Sequence, residues 1–172
     1  QVSTPVILFI GQVGREMRDR EAFQEIDFRR MFGQMAKWVA EIDDAARIPE
    51  YVSQAFHRPV NGRPGPVVLA LPEDMLTDRV DVADAGHYKP VHPSPSAAQM
   101  HELRDRLSTA KRPFLILGGG GWPAGAVADI RAFAEAANLP VGCSFRCQDL
   151  FDNEHPNYAG DVGIGINPKL AV

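Results

Sequence analysis

Cysteine, long apolar runs and long runs of like charge are scarce or absent in this sequence of 172 residues. Its two cysteines are too few for a disulfide scaffold, so we expect a reducing compartment and a cytoplasmic location. No apolar run approaches the roughly 20 residues that cross a bilayer, and no signal-peptide pattern occurs. The 18 basic and 22 acidic residues form no basic stripe, which argues against a nucleic-acid or anionic-membrane partner.

The two ends of the sequence predict a segment of a longer protein. The chain starts at Gln1 rather than at a methionine, and the first strand pattern begins only a few residues later. It stops at Val172, soon after a glycine-rich stretch. We therefore expect further sequence on both sides of this segment.

Apolar residues make up 45% of the chain, enough for a buried core, and their pattern predicts an α/β fold. Residues 5–10 and 66–71 are continuous apolar runs, typical of strands covered on both faces in parallel sheets. Residues 44–60 carry an apolar residue every four positions and predict a crossover helix. Residues 24–42 indicate a short helix followed by a short strand near Lys37.

Prolines gather and periodicity fades at residues 77–97, which we interpret as a connector between domains at 1–76 and 98–172. In the second domain a helix face marked by Met100, Leu103 and Leu107 comes first. A strand, a helix and another strand follow at residues 114–117, 126–137 and 139–145. The sequence thus predicts parallel sheets flanked by helices, with a Rossmann-like second domain.

A run of glycines follows the strand predicted at 114–117 and precedes a helix. Glycines there let backbone N–H groups approach a phosphate at the helix N-terminus. Gly119, Gly121 and Ala124 align with the dinucleotide fingerprint, but the acidic residue expected about 20 positions later is absent, which disfavours NAD. The alternative is a turn that only lets strand and helix pack closely.

The remaining polar motifs favour structural roles. Cys143 and Cys147 have no second ligand pair, so they predict free, partly buried thiols rather than a zinc site. The histidines lack a nucleophile motif, and surface or connector positions account for them. Residues 160–163 are interpreted as a turn, and no metal ligand is assigned.

Phe23-Gln24-Glu25 has two interpretations. One is a helix start, with Glu25 near the positive end of the helix dipole and Phe23 packed inward. The other is a chemical role for Gln24. Because the side-chain amide is neutral near pH 7 and serves as neither acid nor base, that role must be hydrogen bonding and positioning.

Several segments together resemble the thiamine-diphosphate enzymes of the acetolactate synthase group, over nearly the whole chain. They are "AFQEIDF", "KW", "RIPEYVSQAF", "GRPGPVVLALPEDM", "AKRPFLILGGGG", "FAEAANLPVGCSFR" and "HPNYAGDVGIG". The resemblance implies that residues 1–76 are the C-terminal part of a pyrimidine-binding domain and residues 98–172 a truncated central domain.

Enzymes of this group use thiamine diphosphate, held with Mg²⁺, as an electron sink in lyase and carboligase reactions of 2-keto acids. The resemblance implies that Phe23 and Gln24 are catalytic residues facing the coenzyme, often at a subunit boundary of a homodimer or homotetramer. It places the activating glutamate upstream of Gln1 and the magnesium-diphosphate element downstream of Val172. We therefore expect the isolated segment to be inactive.

The resemblance also implies a nucleotide position in the central domain, where FAD, ADP and no nucleotide all stay open. The matching residues are Arg63, Gly119, Gly120, Ser144, Phe145 and Arg146. The alternative to an enzyme segment is a nucleotide-binding or structural α/β module without catalytic activity of its own.

Overall fold

The computed structural model describes residues 3–120, 122–166 and 168–171, which fall into two compact units. Unit 1 comprises residues 1–92 and unit 2 residues 93–172. The strands of unit 1 are β1 (Ile7–Gln12), β2 (Trp38–Glu41) and β3 (Val67–Pro72), and its helices are α1 (Phe28–Phe32) and α2 (Ile48–Val60). In unit 2 the helices are α3 (Ala97–Thr109) and α4 (Ala124–Ala136), and the strands are β4 (Leu115–Leu117), β5 (Val141–Cys143) and β6 (Tyr158–Asp161). Short 3₁₀ turns lie at Arg15–Met17, Ala45–Arg47, Met75–Thr77 and Gln148–Leu150.

Each unit is built on a parallel sheet. In unit 1 the strand order is β1-β3-β2, and in unit 2 it is β4-β5-β6. The predicted α/β class with parallel sheets is therefore confirmed. Residues 78–96, which precede α3, contain neither helix nor strand.

The two apolar runs of unit 1 form strands with different surroundings. β3 lies in the centre of its sheet, and Val67 and Leu69 are fully buried. β1 lies at the edge of the sheet, where Leu8 and Phe9 are 43% and 52% exposed. The prediction of a strand covered on both faces is confirmed for β3 and wrong for β1 within the described residues, because a continuous apolar run does not reveal which strand lies at an edge.

Helix α2 packs on the sheet of unit 1 and contributes Ala55 to the core cluster. Pro49 lies in its first turn, where a missing N–H costs no helical hydrogen bond. Ala55 is fully buried in a cluster with Ile42, and Trp38 of β2 stacks on Tyr51 with ring centroids 6.0 Å apart. The predicted crossover helix is confirmed, and this packing leaves the ends of the strands free to carry loops.

The core of unit 2 joins its sheet to α4. Leu117, Val141 and Cys143 contribute from the strands and Ala134 contributes from the helix. Helix α3 begins with a capping box in which the Ser96 hydroxyl accepts from the backbone of Gln99 and the Gln99 side chain accepts from the backbone of Ser96. The helices and strands predicted for this half are therefore present, with bounds that differ by up to two residues.

Strand β6 corrects the interpretation of residues 160–163 as a turn. Gly160 and Asp161 belong to β6, and the turn comes afterwards, at residues 163–165. The strand is short and has no apolar alternation, so pairing with β5 creates it. The Val141 N–H donates to Asn157 O at 2.8 Å, and the Val162 N–H donates to Cys143 O at 3.0 Å.

In the part of the chain that the structure describes, every helix is too short or too polar to cross a bilayer.

Candidate functional site

In unit 1 a loop crosses the edge of the sheet where the parallel strands end, which is where open α/β sheets place their ligands. β1 ends at Gln12, β2 at Glu41 and β3 at Pro72. The chain after β1 runs along this edge and contains the Phe23 loop, defined here as residues 19–27. Side chains at the strand ends attach both flanks of this loop to the sheet.

Arg15 fixes the start of this connection. Its backbone N–H donates to Asp74 Oδ1 at 2.9 Å, and its Nε donates to Asp74 Oδ2 at 2.7 Å. Its Nη atoms reach Asp43 O and Asp78 Oδ2, at 2.8 and 2.9 Å. The hydrogen bond from Arg15 lowers the pKa of Asp74, so that the carboxylate stays ionised. The segment after β1 is thereby attached to the segment after β3.

Arg18 and Gln12 fix the two flanks of the Phe23 loop. Arg18 Nη2 forms ion pairs with Glu41 and with Asp43, the latter at 2.5 Å. Gln12 Nε2 donates to Ile26 O at 2.8 Å, and Gln12 Oε1 accepts from the following backbone N–H at 3.0 Å. One flank is therefore held by a charge pair and the other by a neutral amide.

Glu25 closes the loop from inside. Its Oε1 accepts from the Asp19 N–H at 2.5 Å, and its Oε2 accepts from the Ala22 N–H at 3.0 Å. The Glu25 N–H donates in turn to Ala22 O at 3.0 Å. The backbone donors, Ala22 first and then Asp19, lower the pKa of Glu25 and favour its charged form.

The backbone of the Phe23 loop lies repeatedly in the left-handed region. Asp19, Glu21 and Gln24 have φ angles of 62°, 54° and 69°. Residues other than glycine adopt such angles at a cost, and they persist only where the surroundings hold them. The anchored loop therefore keeps Gln24 in a conformation that a free chain would avoid.

The result is an exposed aromatic ring and an exposed neutral amide beside a polar cleft. Phe23 is 89% exposed, and Gln24 is exposed as well. The cleft, of about 370 Å³, is lined by residues that include Gln12, Arg18 and Glu41. The interpretation of Phe23-Gln24-Glu25 as a helix start is wrong, because α1 begins at Phe28 with the Asp27 side chain as its cap.

In unit 2 the structure brings most of the predicted nucleotide residues to one edge. The glycine turn, defined here as residues 118–120, follows β4, and Gly119 has a φ of 81°. A Cβ at Gly118 would lie 2.5 Å from Ser144 Oγ, and the Ser144 N–H donates to Leu117 O at 2.8 Å. The Arg146 guanidinium lies 5.2 Å from the centroid of the Phe145 ring. The glycine turn and residues 144–146 therefore meet at the carboxyl ends of adjacent strands.

The other predicted residues are Gly120, Gly121 and Arg63. Gly121 lies outside the described residues, and Gly120 is exposed at the end of the glycine turn. Arg63 belongs to unit 1, on the loop between α2 and β3, where its Nε donates to Ser3 Oγ at 3.0 Å. The structure thus describes Arg63 in a different unit from the other predicted nucleotide residues.

Neighbouring side chains contact two of the backbone carbonyl groups of the glycine turn. The Trp122 indole N–H donates to Gly118 O at 3.1 Å, and Cys147 Sγ lies 3.5 Å from Gly119 O. Both cysteines are free thiols, as the sequence predicts, and burial raises the pKa of Cys143. In the described ranges, no group of three or more His, Cys, Asp or Glu side chains is arranged to hold a metal ion.

Sequence reasoning missed Gln12, Arg18 and Glu41. The signal for two of them is their position, since Gln12 and Glu41 are polar residues at the ends of apolar strands. The carboxyl ends of parallel strands share one edge, so such residues are candidates for a common site. Arg18 carries no local signal, because its partners lie 23 and 25 positions away.

Comparisons with known proteins bear on both units. Residues 100–171 match the family model of the thiamine pyrophosphate enzyme central domain. The chain is 32% identical to an acetolactate synthase large subunit of Corynebacterium glutamicum, over 94% of this chain and 26% of that protein. It is also 32% identical to a glyoxylate carboligase of Escherichia coli O157:H7, over 94% of this chain and 28% of that protein.

Solved structures support the same relationship. The chain superimposes on benzoylformate decarboxylase from Polynucleobacter necessarius with a TM-score of 0.84 and 28% sequence identity. The match covers 92% of this chain and 30% of that one. The chain therefore spans less than a third of the length of these relatives.

Proposed function

We propose that the whole protein is a lyase or carboligase of 2-keto acids, because this chain is related to the thiamine-pyrophosphate-dependent enzymes of the acetolactate synthase group. The relatives named above as acetolactate synthase, glyoxylate carboligase and benzoylformate decarboxylase support this reaction class. The observation that carries the proposal is the Phe23 loop, which presents an exposed ring and a neutral amide at the carboxyl edge of a parallel sheet.

The residues of the Phe23 loop fit a contact with thiamine diphosphate. When bound, this coenzyme supplies the nucleophilic carbon and the electron sink for the loss of carbon dioxide from a 2-keto acid. The exposed Phe23 ring offers apolar surface to a heteroaromatic ring. The Gln24 amide can donate or accept a hydrogen bond without adding a charge.

A neutral side chain suits this position for an electrostatic reason. A fixed charge beside the reacting atoms would compete with the charge that develops during the reaction, whereas an oriented amide stabilises it. The anchoring of the loop orients this amide in advance, because Glu25 holds the backbone around Gln24. Gln24 thus holds substrate and coenzyme in register and transfers no proton itself.

The described residues contain no cluster that would hold Mg²⁺. We propose that Mg²⁺ and the diphosphate of the coenzyme are held mainly by regions outside this chain.

A nucleotide, either FAD or ADP, is proposed at the glycine turn. Gly119, Ser144, Phe145 and Arg146 support it, because they meet at the carboxyl ends of β4 and β5. Flavin absorbance of the purified whole protein, or heat released on titration with ADP, tests this assignment. If neither ligand binds, the glycine turn is a packing element, and unit 2 serves as a structural module.

We further propose that the whole protein is a homodimer or homotetramer with the Phe23 loop near a subunit boundary. The exposed Phe23 ring supports this arrangement. A cytoplasmic location is proposed from the two cysteines, which are free thiols.

Steady-state kinetics of the whole protein test the proposed function. A panel of 2-keto acids is offered with thiamine diphosphate and Mg²⁺, and we expect turnover of at least one of them. Gln24→Ala should lower kcat by on the order of 10²-fold, since one oriented hydrogen bond to a developing charge contributes about that much. The matched control is Gln54→Ala, a half-buried glutamine on α2. If the whole protein neither binds the coenzyme nor turns over any 2-keto acid, the proposal is wrong.

A further inference from the structure

We propose that Gln12 and Glu25 are positioning residues that act through the Phe23 loop and set the orientation of Phe23 and Gln24. The inference rests on the proposed function, in which Phe23 and Gln24 contact the coenzyme. Neither Gln12 nor Glu25 needs to touch a ligand for this role.

The geometry of Gln12 supports the first half of the inference. It is the last residue of β1 and lies half-buried at the edge where the loops gather. Its amide is used in both directions, since Nε2 donates to Ile26 O at 2.8 Å and Oε1 accepts from the Val13 N–H at 3.0 Å. Nε2 also lies 3.4 Å from Glu41 Oε2 of β2. Gln12 therefore ties the loop to two strand ends at once, and it needs an amide for this because a carboxylate donates nothing.

The geometry of Glu25 supports the second half. The residue directly follows Gln24, and its carboxylate accepts from two backbone donors, of Asp19 and Ala22, across the loop. Both oxygens are thereby used, which requires an ionised carboxylate rather than an amide. The loop contains residues other than glycine with positive φ, so without these bonds the backbone would relax to commoner angles.

The two residues divide the work. Gln12 holds the carboxyl-terminal flank of the loop to the sheet, and Glu25 holds its interior closed. The amino-terminal flank is already attached through Arg18 to Glu41 and Asp43. A loop fixed at both flanks and across its middle presents Gln24 in one conformation. Such pre-organisation is what a hydrogen bond to a reacting group requires.

Hydrogen-deuterium exchange of the whole protein, without coenzyme, tests the inference independently of activity. Two near-isosteric substitutions serve as variants. Gln12→Glu removes the donor to Ile26 O and places a negative charge next to Glu41, and Glu25→Gln replaces an acceptor by a donor that faces a backbone N–H. We expect amide exchange within residues 19–27 to rise on the order of fivefold or more, the effect of losing about one hydrogen bond.

Matched controls separate positioning from general stability. Gln54→Glu makes the same substitution as Gln12→Glu on the surface of α2. Glu102→Gln makes the same substitution as Glu25→Gln on α3, where Glu102 pairs with Arg106. In these controls, exchange within residues 19–27 should equal that of the wild type. In the two test variants, exchange in β3 should also stay unchanged, since the core of unit 1 contains neither residue.

Kinetics supply a second readout. Both variants should lower kcat by about tenfold or more with little change in KM, because the groups that bind the substrate are intact but Gln24 is misplaced. Unchanged exchange in the loop in both variants would overturn the inference, whatever the activity. Should Gln12→Glu fail to fold, the Glu25→Gln variant, which alters a half-buried residue of the loop, tests the inference alone. Absence of 2-keto acid turnover by the wild type would contradict the proposed function and leave the exchange result valid.

Discussion

The Phe23 loop of unit 1 and the glycine turn of unit 2 occupy the same place in their sheets, yet they are held in opposite ways. Each follows a strand of a parallel sheet at its carboxyl end. In the Phe23 loop, the side chain of Glu25 within the loop and those of Gln12 and Arg18 outside it hold residues other than glycine at positive φ. In the glycine turn, Gly119 adopts a positive φ at no steric cost.

The comparison shows where the information for each conformation resides. The glycine turn depends on local residues and on close approach, since a side chain at Gly118 would meet Ser144. The Phe23 loop depends on polar contacts between residues far apart in sequence, such as Arg15 and Asp74, which are 59 positions apart. One conformation is therefore sensitive to added atoms, and the other is sensitive to lost hydrogen bonds.

The largest effect expected from this comparison concerns close approach in unit 2. A Cβ on Gly163 would lie 2.6 Å from Phe145 Cα, so Gly163→Ala forces the backbone of Phe145 to move. We expect a loss of about 2 kcal/mol of unfolding free energy, typical of overpacking. Urea unfolding followed by the fluorescence of Trp122, with Trp38→Phe as background, reports on unit 2.

The control for this prediction is Gly125→Ala, in α4, where no atom lies within 4 Å of the added Cβ. Alanine is the better helix former, so this variant should be as stable as its parent or more so. Equal stability of the two glycine variants would show that close packing does not shape the edge of unit 2.

The next largest effects come from two opposite substitutions at positions with positive φ, one that adds a Cβ at a glycine and one that removes a Cβ from another residue. Gly119→Ala places a Cβ at a φ of 81° and should cost about 1 kcal/mol, although the Cβ meets no atom within 4 Å. Gln24→Gly removes a Cβ at a φ of 69° and should raise stability by up to about 1 kcal/mol, while activity is lost.

Urea unfolding monitored by Trp122 for Gly119→Ala and by Trp38 for Gln24→Gly measures both changes. A loss of stability in Gln24→Gly would mean that the Gln24 side chain stabilises the loop. The distinction between a strained loop and a relaxed turn would then be wrong.

A smaller effect is pH dependence confined to the Phe23 loop. Backbone donors lower the pKa of Glu25, Ala22 first. The stabilisation from this carboxylate is therefore fully present above the ordinary glutamate pKa, and it is lost as the pH falls through the lowered value. Amide chemical shifts of Asp19 and Ala22 recorded by NMR against pH should titrate together.

The glycine turn supplies the contrast, since its contacts through Trp122 and Gly118 involve no carboxylate. The Trp122 indole resonance should stay constant over the same acidic range. Backbone amide shifts of Asp19 and Ala22 that change with a common midpoint at or above the ordinary pKa of glutamate would contradict the role of Glu25.

The smallest effect is on the stability of Phe23→Ala. The ring is 89% exposed, so its removal should change the unfolding free energy by less than about 0.5 kcal/mol. Trp38 fluorescence during urea unfolding measures this. A larger loss would mean that Phe23 packs on the protein and is not presented to a ligand.

Much of the fold could be predicted from the sequence, because the residues of a buried strand form a continuous apolar run. The apolar run at residues 66–71 predicted β3, and the apolar residues at every fourth position in 44–60 predicted α2. β6 could not be predicted in this way, because Tyr158–Asp161 has no apolar alternation and forms a strand through its pairing with β5. Local patterns predicted the buried strand β3, but they revealed neither the edge position of β1 nor the pairing of β6.

The candidate sites divide along the same line. The glycine turn is visible as a local pattern of glycines after a strand, and the structure places Ser144 beside it. Phe23 and Gln24 stood out through the resemblance rather than through periodicity. Of their anchors, Gln12 acts on Ile26, 14 positions away, and Glu25 accepts from backbone N–H groups within the loop, an arrangement that follows from the loop's conformation rather than from an apolar pattern.

The most direct test of the central claim is a crystal structure of the whole protein with thiamine diphosphate and Mg²⁺. We expect the Phe23 ring and the Gln24 amide to lie in van der Waals or hydrogen-bonding contact with the coenzyme or a bound 2-keto acid analogue. We also expect Gln12 to donate to Ile26 O in that structure. A structure in which the coenzyme binds elsewhere, with the Phe23 loop facing solvent, would contradict the claim.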